Sequence, residues 1–144
     1  MRAANPEGGT VENTLSIEVR APFKEALRLT KGSLAHHGFT IISDADVAAA
    51  LGGDAPRQLG NYQILGVLNT ALARGAVEMI RDAGVVLPVN VVVRQDPQAQ
   101  VTRVHCLTPD HLMRLYGPEL RDVAVQTSEA LDNAIRNIIK QVKT

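Results

Sequence analysis

Leu15, Ile17 and Val19 alternate with Ser16, Glu18 and Arg20, the two-residue period of a strand with one buried face. At Pro22 the period changes. Proline suits a first helical position, and Phe23, Ala26, Leu27, Thr30 and Leu34 recur at helical spacing until Gly38 supplies a stop. Phe39 to Ile42 reads as a short second strand. Ser43 and Asp44 follow as cap candidates for a brief alanine-rich turn, VAAAL, which Gly52 and Gly53 close; residues 52–60 read as a loop. Tyr62 to Leu68 is a third strand. From about Thr70, Leu72, Ala73, Ala76, Val77 and Ile80 share one helical stripe that runs until Gly84.

Val85 to Val93 is nearly all apolar, as expected of a central strand covered on both faces, although Pro88 has no N–H for a ladder and predicts a bulge or bend. The turn QDPQAQ separates it from Val101 to Leu107, where Thr102, Val104 and Cys106 share one face and Arg103 and His105 the other. Thr108 and Pro109 cap a short helix to Tyr116. Pro118 then opens a long helix with Leu120, Val123, Thr127, Leu131, Ala134, Ile135, Ile138 and Val142 in register. The order is β-α-β-(α)-β-α-β-β-α-α. It predicts an α+β layer, an antiparallel or mixed sheet of about five strands with helices packed on it. Residues 1–10, with Pro6, Gly8 and Gly9, read as a disordered tail before a single domain over 11–144.

Within this pattern two amides stand where a core prefers hydrocarbon. Asn69 ends the third strand and Asn90 interrupts the fourth. A buried amide without partners costs about 1–3 kcal/mol, so each must be partnered, solvated or used. Fifteen basic residues balance fifteen acidic ones, which leaves no net field to attract nucleic acid or an anionic membrane surface. Phe23, Phe39, Tyr62 and Tyr116 are scant material for a base-stacking platform. Cys106 is a single cysteine, so neither an intramolecular disulfide nor a CxxC metal pair is expected, and reducing cytoplasm is the simplest compartment. Nothing approaches the roughly 18 apolar residues of a spanning helix.

The succession FKEALRLTKGSLAHHGFTIISDADV, YQILGVLNTALA and GVVLPVNVVVR resembles the bacterial and archaeal domain-of-unknown-function family 302 over about residues 15–110. That resemblance implies a fold of the TATA-binding-protein-like class, a curved antiparallel sheet with packed helices, often as a dimer, with no established activity. The polar positions that match are Asp46, Asn69, Pro88 and Asn90. Leu68 and Val89 stand where the family commonly has cysteine, and Thr70 where it has proline, so thiol chemistry of relatives has no counterpart at these positions.

The candidate ligand-binding residues are Asp46, Asn69, Thr70, Pro88, Asn90 and His105. Asn69 and Thr70 lie between a strand and a helix, where Asn69 is either a plain cap or part of a helix N-terminus facing a small anion. Asn90 is either a structural bridge to backbone freed by Pro88 or a pocket wall. Asp46 caps the VAAAL turn or, facing the two amides in an apolar surround, acts as a base. His36 and His37 diverge by about 100° at a helix C-terminus and fit the dipole there. His105 and His111 lack a metal-ligand spacing, so no metal site and no cofactor are expected. Three readings stay open: a small-molecule-binding domain, expected to be a homodimer, with its site at the two amides; a cofactor-independent enzyme for a small hydrophobic acid or carbonyl compound, using Asp46 or His105 as proton carrier; and a dimeric interaction module.

Overall fold

β1 (Thr14–Val19) turns Ile17 and Val19 to one side and Ser16 and Glu18 to the other, and the strand from Thr102 to Leu107 repeats the device with Thr102, Val104 and Cys106 buried. The computed structural model describes residues 14–107, 111, 114 and 117–140. After β1 come α1 (Phe23–His36), β2 (Phe39–Asp46), α2 (Val47–Leu51), α3 (Ala55–Leu59), β3 (Asn61–Asn69), α4 (Thr70–Met79), a 3-10 segment (Arg81–Val86), β4 (Val89–Gln95), β5 (Thr102–Leu107) and, after a 3-10 turn at Pro118–Leu120, α5 (Arg121–Lys140). The predicted tail lies outside the described residues, as does most of the predicted short helix from Thr108 to Tyr116.

The five strands form one antiparallel sheet in the order β1-β5-β4-β3-β2. Its inner face carries Val19, Leu65, Val67, Val91, Val93 and Val104, all buried, under α1 and α5. Ala26 and Ser33 on α1 and Ala134 on α5 are small enough for the helices to approach closely, and the Ser33 hydroxyl donates to the Ala134 carbonyl at 2.6 Å. Thr102 does the same for the β1–α1 turn, donating to the Ala21 carbonyl at 3.0 Å. These hydroxyls bury without loss because each has an acceptor.

Four expectations need correction. The second strand continues to Asp46 through a bulge between Ile41 and Ser43, so Ser43 and Asp44 lie in the strand and the cap of α2 is Asp46. A short helix, α3, occupies part of the expected loop at 52–60. α4 stops at Met79, because Ile80 turns extended (φ −134°) and the chain folds back to bury Ala83. β4 starts at Val89 instead of Val85; Val85 is 87% exposed, and Pro88, joined to Leu87 by a cis peptide, supplies no N–H for a ladder.

Candidate functional site

Register decides which of the predicted residues can meet. In the β3–β4 ladder Val67 faces Val89 and Gly66 faces Asn90, so Asn90 shares a face with the even-numbered residues of β3 while Asn69 follows Val67 on the inner face. The two asparagines therefore do not share a pocket. Asn90 is exposed on the outer face, where water satisfies it, and the assumption that it sits in hydrocarbon is corrected accordingly. Asn69 pairs with Phe39 at the strand end and caps α4, its Oδ1 accepting from the Leu72 N–H at 3.4 Å. Asp46 is spent in the same way on α2, accepting from the Ala49 N–H at 3.0 Å.

His105 lies on the outer face of β5, opposite Ser16 and Val92. Burial, followed by the nearby guanidinium groups of Arg94 and Arg103, holds its imidazole below the usual histidine range. Both arginines have acidic partners, Asp96 with Arg94 at 2.6 Å and Glu18 with Arg103 at 3.1 Å. Cys106 is buried against the α5 side, and desolvation, then Asp132, pushes its thiol up to about 12. Such a thiol is unreactive at neutral pH. Among the described residues no group of three or more His, Cys, Asp or Glu gathers to hold a metal ion.

Thr70 and Pro88 do come together. They border a hollow of about 460 Å³ on the outer side of the sheet, where β2, the end of β3, α4 and the β4 approach converge. β2 contributes Thr40 and Ile42, β3 contributes Leu68, and α4 contributes Thr70, Ala73, Arg74 and Val77; Gly84, Leu87 and Pro88 complete the wall. Thr40 and Leu68 are direct cross-strand partners, which puts both on the outer face. The bulge after Ile41 lets Ile42 lie 52% exposed beside them. Thr40 Oγ1 and Thr70 Oγ1 are 2.6 Å apart, and Arg74 donates through Nε to Glu78 at 2.8 Å.

Two local features open this corner. Gly66 lies under Ser43 and the Pro88 ring, and a Cβ built there would stand 2.9 Å from Pro88 Cγ. Gly38, at φ +87°, ends the turn from α1 and lets its carbonyl accept from the Thr70 N–H at 3.2 Å, which ties β2 to the start of α4. Sequence reasoning missed Thr40, Ile42, Leu68, Ala73, Arg74, Val77, Gly84 and Leu87. Its one available signal was the spacing of Thr70 and Arg74, four residues apart on one helix face.

No curated protein matches the chain. A crystal structure of an uncharacterized conserved DUF302 protein from Bacillus stearothermophilus is similar in fold, with a TM-score of 0.73 and 20% identity over 89% of this chain and 99% of that one. At that identity the likeness speaks for the sheet and its helices alone. The sequence profile of the domain of unknown function DUF302 matches residues 15–138, nearly all of the sheet-and-helix body described above, and the chain belongs to that family.

Proposed function

We propose that this DUF302 domain binds a small, mostly apolar molecule in the hollow between β2, β3, α4 and Pro88. One observation carries the reading: Ile42, Leu68, Ala73, Val77, Leu87 and Pro88 turn hydrocarbon toward a concave space whose surface is almost wholly apolar. At about 460 Å³ it falls within the roughly 300–1,000 Å³ of small-molecule sites. Exposed Ile42 and Val77, at 52% and 39%, gain a partner when such a molecule is seated.

Among the described residues the lining contains no carboxylate, imidazole or thiol, which favours binding over acid–base turnover with Asp46 or His105. The test is a titration of 15N-labelled protein with hexan-1-ol, followed by amide shifts. Saturable shifts at Leu68, Ala73 and Val77, with a Kd on the order of 1 mM for a short alkyl chain, are the expected result. They should vanish in Val77→Trp, whose ring fills the space. Shifts that are absent, or that are unchanged in Val77→Trp, refute the site.

A second reading, the dimeric interaction module, draws on Met79 and Val85, which are 66% and 87% exposed at the end of α4 and beyond it. Sedimentation velocity separates it from the first. A dimer dissociated by Val85→Glu favours it, and a monomer at all concentrations counts against it.

A further inference from the structure

We propose a second ligand site, separate from the hollow: the outer face of the sheet at β4 and β5 binds a tetrahedral dianion, a phosphate or sulfate group, through Arg94, Arg103 and His105. Register brings the three together. Arg94 and Arg103 are direct cross-strand partners, and His105, two residues beyond Arg103 on the same face, stands opposite Val92. Basic side chains thus occupy three corners of a four-residue patch. Glu18 and Ser16 on β1 extend its two rows to one side, and Tyr62 and Ile64 on β3 extend them to the other.

Like charges directly opposite one another destabilise a pair of strands, and taking them out of water raises the cost. These two arginines are nonetheless held down. The Arg94 and Arg103 side chains are only 17% and 24% exposed, whereas those of Arg28, Arg57, Arg74 and Arg136, which also sit in ion pairs, are 62–82% exposed. Two guanidinium groups are therefore ordered against the sheet before any ligand arrives.

Their carboxylates flank the patch, Asp96 beyond Arg94 on the side away from His105 and Glu18 across from Arg103 on β1. The centre stays positive. Burial first, then the charges of Arg94 and Arg103, hold the His105 imidazole below the usual histidine range with both carboxylates in place. A guanidinium presents its N–H donors as a planar fork that fits two oxygens, and Arg94 gives one of these donors to Asp96. A carboxylate has oxygens for one such fork. Phosphate and sulfate have oxygens and charge for two, and the imidazole adds a ring N–H in either protonation state.

The experiment titrates 15N-labelled protein at pH 7 with sulfate, inorganic phosphate and phenyl phosphate, against chloride at matched ionic strength, and follows the amides of Arg94, Arg103 and His105 and the His105 ring proton. Saturable shifts are expected for the dianions, with a Kd on the order of 1 mM, and at least tenfold weaker binding for chloride. Sulfate keeps its charge as pH falls from 7 to 5, so by linkage it should raise the His105 pKa. Arg94→Gln and Arg103→Gln should each weaken sulfate binding by about fivefold or more, and Arg94→Lys, which keeps the charge and loses the fork, by about two- to threefold. Arg57→Gln, on α3, should leave it unchanged. Phenyl phosphate binding tighter than inorganic phosphate would assign the site to a phosphorylated organic molecule seated toward Tyr62 and Ile64; equal affinities would assign it to the free anion. The wild-type comparison stands even where a variant fails to fold. Sulfate binding no tighter than chloride, a His105 pKa unmoved at saturating sulfate, or equal losses in Arg57→Gln and Arg94→Gln would overturn the dianion site, and none of these results would alter hexan-1-ol binding at Leu68 and Val77.

Discussion

Gly66→Ala is the sharpest test of the packing that shapes the hollow. Gly66 lies in β3 between β2 and β4, buried on the outer face, and faces Ser43 on one side and Asn90 on the other. A methyl group there would stand 2.9 Å from Pro88 Cγ and collide with Ser43 Oγ. Carbon atoms rest at about 3.5–4.0 Å, so the ring must retreat by more than half an ångström. The Ser43 hydroxyl sits on an exposed side chain and can rotate away; the proline ring cannot. Overpacking of this kind costs about 1–3 kcal/mol, against about 0.4–1 kcal/mol returned because alanine restricts the unfolded chain. A net loss of about 1–2 kcal/mol follows, read by urea denaturation as a lower midpoint at unchanged slope. Gly75→Ala is the control: Gly75 lies within α4 with open space around its Cβ position, and the same change there should stabilise by about 0.5–1 kcal/mol. Ser43→Ala combined with Gly66→Ala should restore only part of the loss, because Pro88 stays in place. Gly66→Ala at or above wild-type stability would refute the reasoning.

Other consequences follow from single residues. Asn69→Ala should cost about 0.5–1 kcal/mol, the low end for a cap because its bond to the Leu72 N–H is 3.4 Å long, and should leave the hexan-1-ol affinity intact; loss of binding would return Asn69 to the site. His105 titrates below its ordinary 6.5 when folded, so the unfolded chain takes the proton first and stability falls as pH drops below that value. His105→Gln should flatten this slope in denaturation curves between about pH 7 and pH 5; an unchanged slope counts against it. For Cys106 the sign is opposite. Its preference for the neutral thiol is fully present below the ordinary 9.0 and is lost as pH rises toward about 12, so native protein should resist Ellman's reagent at pH 8 and react at once when unfolded in urea. Rapid labelling of the native protein would show that the thiol is reachable.

Alternation and helical spacing made most of the architecture legible before any coordinates. The inner face of the sheet was readable in Ile17 and Val19 and in Thr102, Val104 and Cys106, since a strand's own letters state its parity. What a strand's letters omit is its register against neighbours. Asn69 and Asn90 each looked conspicuous, yet only the pairing of Val67 with Val89 reveals that one faces α4 and the other faces water. The hollow was equally hidden. It depends on the Ile41/Ser43 bulge, on the chain folding back after Met79 and on the fit of Gly66 under Pro88, all tertiary facts with no local period. Thr70 and Pro88 were selected from sequence beside amides that lie elsewhere. They belong to the hollow because the β3–α4 junction and the start of β4 converge there.

That convergence couples stability to binding in a way that separates Gly66 from Asn69. Pro88 is both the rigid neighbour that a Cβ at position 66 would push and part of the wall of the hollow, so Gly66→Ala should weaken hexan-1-ol binding as well as the fold. A displacement of more than half an ångström in one wall costs part of the close contact with the alkyl chain, since even a 0.5–1 Å gap forfeits about a quarter to a half of a dispersion well. Asn69 acts through the cap of α4 and is not among the residues that line the hollow. At a denaturant-free temperature where both variants are fully folded, Gly66→Ala should lose about two- to fivefold in affinity and Asn69→Ala none. If the two variants lose affinity in proportion to their stability, binding tracks general loosening of the domain, and the Pro88 wall is not the element that defines the site.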